Sequence, residues 1–589
     1  MIRDLLRLIP HVSKYRGRLI WGVSLFLIAR LFEASVPVLL GIGIDRLSQG
    51  RIDLAFPIFG IVFAVASRFM IVSWARIAVR RVGFLVQHDL REKFYAHLQL
   101  MGPTFYGKFA VGDLMTRAIA DIQLIRRLIN MGTISVVIFV FANLVGFACM
   151  LYYSPLLTLL IIPPLPFLFF YTWRTSITLG EASRDVQERM TDMSAHVQEN
   201  ITGVRTIQAM VQEENEIQRF DQHNLKYSEA FYAHARLHSR MQAIMPCFTA
   251  ISIVIVLGYG GHLVLSEQMS VGDYTAFFTF VHMVVQPFRV AGITISLLQR
   301  AAVASRRLFE IFDTSPEIKD EPKNYAPKEI SGQMKINNLS FKYPGSDKHA
   351  LKNISLEIAA GQTITIMGRI GSGKTTFLKQ LLRLLDTPKS QVFIDGFDIR
   401  DYPLKQLRAQ VAFVPQDAFL FGESMRSNIT YDEPRRVREK IWEAASYAVL
   451  DETIDHMAKK LDTVVGERGV TLSGGQKQRT TVARGLIRHA PVLILDDCFA
   501  SIDTETEELI LQELQQLRAD RTTILVSHRV STAKHSDRVV IFDSGEIIEQ
   551  GTHQELLAHS SNYRELERIQ HTGANQEDYH SIFQQQTGS

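Results

Sequence analysis

The chain has 589 residues, of which 47% are hydrophobic and 21% charged, and its formal net charge is +4. This length is too great for a single core, so we expect two or three domains. The small net charge, without long basic blocks, does not indicate a nucleic-acid partner. Cys149, Cys247 and Cys498 have no metal-ligand spacing, which fits a reduced, cytosol-facing protein.

The first half of the chain holds nearly all of the long apolar stretches. A helix needs about 20 apolar residues to cross a bilayer. Because no small-residue cleavage site ends the first stretch, we interpret it as a transmembrane helix and not as a signal peptide. The sequence therefore predicts six membrane-spanning helices, at 19–44, 54–75, 133–153, 155–173, 246–265 and 274–298.

The segments between these spans predict how the helices are arranged. Residues 152–155 leave room only for a tight hairpin between the third and fourth spans. The stretches 76–121 and 174–240 are polar and of helical composition, so we expect helices that continue past the membrane. Lys and Arg are concentrated on one side of the six spans, which places both termini and the second half of the chain in the cytosol.

Ionisable residues lie inside the predicted spans. They are Arg30, Glu33, Arg68, His282 and Arg289. At 1.5 Å per residue, Arg30 and Arg68 both fall near the middle of the bilayer, where charged side chains usually face a cavity or a partner. We expect Glu33 to pair with Arg30 or Arg68 and to border a cavity, where it would affect transport of cationic compounds most. The alternative is an ion pair that only fixes helix packing.

A phosphate-binding loop of the form G-x-x-x-x-G-K-[ST] opens the main motif set of the second half. A short strand at 364–367 precedes it and a helix follows, as the motif requires. Its glycines let backbone N–H groups approach phosphates, and the helix N-terminus favours negative charge. Lys374 is expected to neutralise the β- and γ-phosphates and Thr375 to ligate Mg²⁺, which predicts ATP and Mg²⁺ binding. The nucleotide-contacting residues are Gly368, Arg369, Ile370, Gly371, Ser372, Gly373, Lys374, Thr375 and Thr376.

Two further motifs follow the phosphate loop. Residues 472–476 read Leu-Ser-Gly-Gly-Gln, and the hydrophobic run 492–495 leads into Asp496. With the motifs in this order, the chain resembles the ATP-binding cassette (ABC) superfamily, and its six spans resemble those of an ABC exporter half-transporter. The resemblance implies a membrane all-α, six-helix exporter-type transmembrane domain fused to an α/β P-loop ABC ATPase domain. The expected boundaries are 1–312 for the transmembrane domain, 313–330 for a linker, 331–572 for the nucleotide-binding domain and 573–589 for a flexible polar tail.

The resemblance also implies roles for single residues. Tyr343 would stack on adenine, and Gln416 would reach the metal and sense the γ-phosphate. Asp496 would hold Mg²⁺ through water, and His528 would contact the γ-phosphate. In this family the signature residues close over ATP held by the opposite subunit, so one set of motifs per chain implies a dimer with two composite sites. The signature residues here are Ser473, Gly474, Gly475 and Gln476.

Two stretches of the first half resemble the intracellular turns of ABC exporters, at 112–121 and 203–208. In the family, short helices near these turns dock into the ATPase domains and transmit motion. Residues 465–469, directly before the signature, resemble an exporter-type stretch that touches those helices. The alternative for the two turns is a pair of exposed polar helices with ordinary surface charges.

Asp497 stands where the family usually has a catalytic glutamate. A general base must lie within hydrogen-bond reach of its proton, and aspartate is shorter by one methylene, about 1.5 Å. Because misplacement on this scale can cost about a hundredfold in rate, the chain's own site is expected to be slow. A partner chain with glutamate would then supply a fast site. The alternative is a homodimer in which aspartate works well enough.

These observations predict ATP-driven export of amphipathic drugs or lipids across the bacterial inner membrane. The chain resembles multidrug-resistance-like (Mdl-type) half-transporters that act as heterodimers. A homodimeric lipid or lipid-A flippase is the alternative within this class, and an ATP-gated channel or regulatory subunit is an alternative outside it. Soluble ABC ATPases that act on DNA or ribosomes carry the same motifs, but six apolar spans argue against them. The substrate and the partner chain stay open.

Overall fold

The computed structural model describes residues 2–320, 329–561, 563–564 and 567–568. The chain divides into two compact units. The helical unit comprises Met1–Leu100 and Phe109–Ser315, and the mixed unit comprises Met101–Lys108 and Pro316–Ser589. Most of the predicted linker, at 321–328, and all of the predicted tail, 573–589, lie outside the described residues.

Helices account for the regular structure of the first half of the chain. Three π-helical segments, Arg117–Asp121, Leu128–Gly132 and Val256–Gly260, join consecutive helices. The helices are α1 (Ile2–Leu6), α2 (Ile9–Ser13), α3 (Arg16–Ser48), α4 (Ala55–Leu98), α5 (Pro103–Lys108), α6 (Val111–Thr116), α7 (Ile122–Arg127), α8 (Thr133–Tyr153), α9 (Pro155–Ile161), α10 (Pro164–Thr202), α11 (Val204–Ala209), α12 (Glu213–Ile255), α13 (Gly261–Leu265) and α14 (Val271–Asp313). Of these, α5 belongs to the mixed unit.

Among the described residues, five helical stretches are long and apolar enough to cross a membrane, and five of the six predicted spans fall on them. They are Arg16–Ser48, Ala55–Leu98, Val111–Tyr153, Pro155–Thr202 and Val271–Asp313. The fifth predicted span, 246–265, is helical throughout and is formed by the end of α12, the π-helical segment Val256–Gly260 and α13. Its described apolar part is Ala250–Leu265. Pro246 lies inside α12 at the start of that span.

The surface of the helical unit is apolar where these helices face outward. Phe59, Phe69, Leu144 and Phe167 are each at least 70% exposed. Exposed apolar patches of this kind are rare on soluble monomers, whereas lipid tails accommodate them. Together with the long apolar helices, this surface makes the helical unit a multi-pass membrane domain.

Helices α4, α10 and α12 continue well beyond the length that a bilayer requires, as the polar stretches predicted. They contain 44, 39 and 43 residues, which corresponds to about 60 Å each at 1.5 Å per residue. The tight hairpin between α8 and α9 is also confirmed. Ser154 is extended there, and its hydroxyl accepts a hydrogen bond from the Leu157 N–H at 3.4 Å.

Short helices occupy both predicted intracellular turns, α6 at the first and α11 at the second. The first turn is tied to the end of α14 by an ionic network. Arg117 donates to Asp113 at 2.9 Å and to Glu310 at 2.8 Å, and Arg307 donates to Asp113 at 2.6 Å. Charge-assisted hydrogen bonds of this kind are stronger than neutral ones, so they hold α6 against the end of α14.

Helices α3 and α14 approach each other most closely at two glycines. A Cβ atom at Gly272 would lie 2.1 Å from the Gly41 carbonyl oxygen. Asp45 of α3 accepts hydrogen bonds from the Ser270 hydroxyl at 2.7 Å and from the Gly272 N–H at 2.6 Å. Small residues let helix backbones meet in membranes, and here the close approach brings a carboxylate onto the first turn of α14.

The mixed unit contains two sheets. A four-stranded sheet has the order β2-β1-β4-β5, and a six-stranded sheet has the order β10-β9-β3-β8-β7-β6. In the larger sheet β6, β7, β8, β3 and β9 are parallel, and β10 is antiparallel to β9. The strands are β1 (Met334–Phe341), β2 (Leu351–Ile358), β3 (Thr363–Gly368), β4 (Val392–Ile394), β5 (Phe397–Asp398), β6 (Val411–Val414), β7 (Val492–Asp496), β8 (Thr522–Val526), β9 (Arg538–Asp543) and β10 (Glu546–Gly551).

Helices cover the sheets, and their buried residues join those of the strands in two large apolar cores. One core lies around β1, β2, β3 and α15, and the other gathers residues 412–525 around α17, α18 and α20. Strand β7 is buried along its whole length, as expected for a parallel strand covered on both faces. The helices are α15 (Lys374–Leu381), α16 (Leu404–Gln410), α17 (Met425–Ile429), α18 (Arg438–Tyr447), α19 (Asp451–Asp455), α20 (Gly474–Leu486), α21 (Thr504–Leu517), α22 (Val530–Ala533) and α23 (His553–His559).

We expect Gly272→Ala to destabilise the membrane domain, because its methyl group would meet backbone atoms that cannot move aside. Overpacking of this kind costs about 1–3 kcal/mol. The measurement is the midpoint of thermal unfolding of the purified protein. Gly180→Ala in α10, where nothing lies within 4 Å of the added methyl group, is the matched control and should leave the midpoint unchanged or slightly raised. Equal midpoints for the two variants would contradict the α3–α14 contact.

Candidate active site

The parallel register of three strands brings the predicted site residues to one edge of the larger sheet. Ile366 of β3 and Asp496 of β7 both pair with Val526 of β8, so the loops after these strands start side by side. His528 lies two residues after the end of β8 and not on the strand itself. A cleft of about 730 Å³ opens here, lined among others by Tyr343, Ile370, Gly371, Gly373, Lys374, Thr375, Thr376, Gln416, Asp496, Asp497 and His528.

The phosphate loop connects β3 to α15 through glycines in left-handed conformations. Gly371 has φ +84° and Gly373 has φ +103°, values that side chains adopt only with strain. The Lys374 ammonium donates hydrogen bonds to the carbonyl oxygens of Gly368 and Arg369, both at 2.7 Å. The loop thus curls around its own lysine, which places a positive charge at the N-terminus of α15.

The loop fits a phosphate group. The Ser372 hydroxyl oxygen is buried and has no hydrogen-bond partner among the described residues. A Cβ atom at Gly373 would lie 2.7 Å from the Ala350 carbonyl oxygen, so any side chain at this position would clash with the backbone of Ala350. Unpaired donors, a lysine and a helix N-terminus in one loop form an anion-binding site.

Thr375 and Asp496 form the neighbouring part of the cleft. The Thr375 hydroxyl donates to Asp496 Oδ1 at 3.4 Å. Burial raises the pKa of Asp496, while the hydrogen bond from Thr375 and the charge of Lys374 oppose that shift. One hydroxyl and one carboxylate beside a phosphate site are the oxygen donors that Mg²⁺ uses, with substrate phosphates and water completing its shell. These two residues would hold Mg²⁺, which screens phosphate charge when bound.

Asp497 lies directly after β7 and turns the chain with a left-handed φ of +46°. Gln416 Nε2 donates to Asp497 Oδ2 at 3.2 Å, and His528 Nε2 lies 3.8 Å from the same oxygen. The three residues that were predicted to act on the γ-phosphate are therefore neighbours. In this arrangement Gln416 contacts Asp497, while the predicted contact of Gln416 with the metal stays a prediction.

Burial shifts the pKa values of this group. It raises the pKa of Asp497 to about 6, with Lys374 opposing and Asp496 adding to the shift. It lowers the pKa of His528 to about 4, and Lys374 lowers it further. The pKa of Lys374 is lowered to about 8 by burial, against the attraction of Asp497 and Asp496. At neutral pH, Asp497 is mainly ionised, His528 is neutral and Lys374 is mainly charged.

Tyr343 also lines the cleft. It lies between β1 and β2, far from Asp496 and Asp497 in the sequence. Its hydroxyl and the Thr376 hydroxyl are 3.1 Å apart, and its ring meets that of Phe341 edge to face at 5.1 Å between centroids. The ring is held at both ends, which presents it to the cleft as a fixed aromatic surface. Stacking on adenine is the role that the resemblance gives it.

The signature residues do not line this cleft. Ser473 caps α20, accepting a hydrogen bond from the Gln476 N–H at 3.3 Å, while Gln476 Oε1 accepts from the Ser473 N–H at 3.0 Å. Ser473 and Gly474 are exposed. The Ser501 N–H donates to Gln478 Oε1 at 2.8 Å, and this hydrogen bond ties α20 to the segment after β7.

Several residues of the site were not predicted from the sequence. Lys348, His349, Lys352 and Ser544 line the cleft, and the basic cluster next to Tyr343 was a signal that could have indicated them. Buried Glu507 binds Arg529 and accepts a hydrogen bond from the Thr532 hydroxyl at 2.7 Å. It therefore holds the segment that carries His528.

The membrane domain contains a second cavity, of about 690 Å³. Glu33 pairs there with both Arg30 and Arg68, which confirms the predicted pairing. His282 also lines the cavity, while the side chain of Arg289 lies outside the described part of the chain. The remaining walls are mainly apolar, formed among others by Val36, Val65, Val136, Phe139, Phe169, Met283, Val290, Ile295 and Leu298.

A multi-pass membrane domain joined to an α/β ATPase with a phosphate loop defines an ATP-hydrolysing membrane transporter. Residues 19–288 match the family model described as ABC transporter transmembrane region, and residues 351–500 match the one described as ABC transporter. The chain is 31% identical over 567 residues to "Uncharacterized ABC transporter ATP-binding protein YknU" of Bacillus subtilis (strain 168), covering 96% of this chain and 97% of that protein. This chain belongs to the ABC transporter family.

Two further comparisons refine the likeness. The chain is 32% identical over 548 residues to "Probable multidrug resistance ABC transporter ATP-binding/permease protein YheI" of Bacillus subtilis (strain 168), covering 92% of this chain and 94% of that protein. The structure of a bacterial Atm1-family ABC exporter with ATP bound superposes with a TM-score of 0.80 at 24% identity, covering 94% of this chain and 99% of that chain. The predicted exporter-type fold is thereby confirmed.

We expect Lys374→Ala to weaken ATP binding by about tenfold or more, because the variant loses the positive charge at the phosphates; tenfold corresponds to about 1.4 kcal/mol. The measurement is calorimetric titration of the full-length protein with Mg-ATP. Lys405→Ala is the control, since Lys405 is exposed on α16 and does not line the cleft. Wild-type affinity in Lys374→Ala would show that the phosphate loop does not hold ATP.

The pKa values predict a bell-shaped pH profile of kcat/KM for ATP hydrolysis by this chain alone. Ionisation of Asp497 provides the base, so the rate should rise with pH through about 6. Loss of the Lys374 charge should lower it above about 8. The profile of kcat/KM reports the free enzyme. In Asp497→Asn the rise of the rate on the acid side should vanish, along with most of the rate. If that rise is unchanged in the variant, it reports the titration of another group.

Proposed function

We propose that the chain exports amphipathic drugs or lipids across the bacterial inner membrane as one half of a heterodimer, with a degenerate ATP site at Asp497. Both termini and the ATPase domain are then cytosolic. The observation that carries the proposal is an otherwise complete nucleotide cleft in which Asp497 stands where the family usually has a catalytic glutamate. Names of relatives that refer to multidrug resistance support the drug substrates.

Within the ATP site, each residue has one task. Tyr343 stacks on adenine, and the phosphate-loop backbone from Gly368 to Thr376 binds the phosphates. Lys374 neutralises phosphate charge as a buried cation that keeps its proton at neutral pH. Asp497 accepts a proton from the attacking water, and neutral His528 holds the γ-phosphate by hydrogen bonding. Lys348 and Lys352 add positive charge at the mouth of the cleft.

The short side chain of Asp497 makes ATP hydrolysis at this site slow. Its carboxylate stands one methylene short of a glutamate, a difference of about 1.5 Å, and it already accepts a hydrogen bond from Gln416. Its backbone follows directly from β7 and donates its N–H to the Val526 carbonyl at 3.0 Å. The backbone therefore cannot advance to compensate, because that would break the pairing between β7 and β8.

The dimer follows from the signature. Ser473 and Gly474 are exposed at the N-terminus of the 13-residue helix α20, where free N–H groups favour an anion. They lie outside the chain's own cleft, so a second subunit is needed to bring them to ATP. A partner with glutamate at the position of Asp497 would receive an intact signature from this chain. That arrangement gives one fast and one slow site.

We expect Asp497→Glu to raise ATP turnover of the chain purified alone by about a hundredfold, since it restores the missing reach. Asp497→Asn, which keeps the length but removes the base, is the matched control and should lower turnover below that of the wild type. Steady-state phosphate release measures all three. Brisk hydrolysis by the wild-type homodimer would favour the alternative, a homodimeric lipid or lipid-A flippase.

The heterodimer itself is tested by purifying the chain together with a candidate partner, a half-transporter that carries glutamate at the position of Asp497. Changing the partner's catalytic glutamate to glutamine should abolish nearly all turnover of the pair, because only the slow site remains. Changing Asp497 to asparagine should leave most turnover intact. Full turnover after the partner's change would exclude the heterodimer. Passive ion current without ATP turnover would indicate the channel alternative.

A further inference from the structure

Positive charge exceeds negative charge in the membrane cavity. Glu33 binds the guanidinium of Arg30 through Oε2 and accepts a hydrogen bond from Arg68 Nη2 through Oε1 at 3.0 Å. Glu33 is the one acidic residue among the described residues that line the cavity. Two arginines therefore face one carboxylate, and the cavity carries an excess of one positive charge even when His282 is neutral.

The arginines also have unused hydrogen-bond donors. Each guanidinium has five N–H donors in a planar fork, and Glu33 takes only part of them. The Nε atoms of Arg30 and Arg68 are buried, and neither has an acceptor among the described residues. A buried donor without an acceptor is unfavourable, and a partly desolvated cation at membrane depth is more so. A ligand with anionic oxygens would neutralise the excess charge and accept hydrogen bonds from the accessible N–H groups of the Arg68 guanidinium.

The two arginines are not equally accessible. The side chain of Arg68 is 41% exposed, whereas that of Arg30 is 14% exposed. Arg30 is also bonded to a residue one turn away on its own helix, which fixes its position. Arg68 is therefore the group that can contact a ligand directly. Arg30 holds the Glu33 carboxylate in place beside it through their ion pair.

Apolar walls surround this polar spot. Phe139, Phe169, Met283 and Leu298 line the same cavity, and the cavity volume of about 690 Å³ lies within the range of drug-sized ligand sites. A ligand that uses both parts has an apolar body and a polar head. Neither a small inorganic anion nor an uncharged hydrocarbon would make both kinds of contact.

We propose that the cavity selects amphipathic anions, in which a carboxylate, sulfate or phosphate ester is attached to a hydrocarbon or aromatic body. Arg68 binds the anionic group, and the aromatic and aliphatic walls hold the body. This inference rests on the proposed export function and names its substrate class. It reverses the preference for cations that the sequence predicted from Glu33, because two arginines already neutralise that carboxylate and leave a net positive charge.

The test measures binding without nucleotide, using full-length protein in nanodiscs of zwitterionic lipid. The probes are two dyes with related ring systems and the same alkyl chain, anionic dodecanoylaminofluorescein and cationic dodecyl rhodamine B. Fluorescence anisotropy gives the Kd for each dye. The variants are Arg68→Gln, Glu33→Gln and Arg46→Gln, the last a control on α3 whose arginine pairs with Asp53 and does not line the cavity.

The two cavity variants should change binding in opposite directions. Arg68→Gln should weaken binding of the anionic dye by about tenfold, and Glu33→Gln should tighten it; a tenfold change corresponds to about 1.4 kcal/mol. Arg46→Gln should change neither Kd. Misfolding would weaken both dyes in both variants, so it cannot produce the opposite shifts. Tighter binding of the cationic dye to the wild type, or equal effects of the variants on both dyes, would overturn the proposal.

A second arm separates the two sources of such a ligand. Adding phosphatidylglycerol to the nanodiscs displaces the anionic dye if the cavity takes a lipid headgroup, and leaves it bound if the cavity takes a free amphiphile. Either result agrees with an anionic ligand. ATP-driven uptake of the dyes into inside-out proteoliposomes is measured separately. If the dyes are not taken up but binding still distinguishes their charge, the export function is refuted and the inference stands. If the dyes are taken up but binding does not distinguish their charge, the inference is refuted and the export function stands.

Discussion

The parallel pairing of β3, β8 and β7 is the constraint on which the nucleotide site depends. Ile366 and Asp496 share the partner Val526, so the loops that carry Lys374, His528 and Asp497 start at the same height on one edge. Side chains from distant parts of the sequence meet there without any long-range adjustment. The same pairing fixes the backbone position of Asp497, whose N–H donates to the Val526 carbonyl at 3.0 Å.

The two halves of the molecule place charge in low-dielectric surroundings in different ways. Around the nucleotide site, the charges of Asp496 and Asp497 oppose the lowering of the pKa of Lys374 by burial, and the charge of Lys374 opposes the raising of the pKa of Asp497. In the membrane cavity, the charges of Arg30 and Arg68 are only partly compensated by Glu33. Buried charges of this kind are costly unless they are paired, so both places favour a ligand that completes the pairing.

Most of the architecture could be predicted because its signals are local. The phosphate loop, the signature and the apolar runs each lie within about 20 residues, and the strand predicted at 364–367 lies within β3. The sequence could not show that Arg30 and Arg68 share one carboxylate, since that depends on how α3 and α4 pack. For the same reason Glu507, which holds Arg529 and Thr532 from a separate helix, had no sequence signal.

The central claim is that ATP stays unhydrolysed at the site of Asp497 while the partner's site turns over. The most direct measurement is the fate of nucleotide bound to the purified heterodimer. The pair is incubated with Mg-ATP, separated rapidly from free nucleotide and quenched, and the retained ATP and ADP are quantified. The account predicts about one retained ATP per heterodimer, lost in Lys374→Ala. Retention of ADP alone, with no ATP attributable to this chain's site, would contradict it.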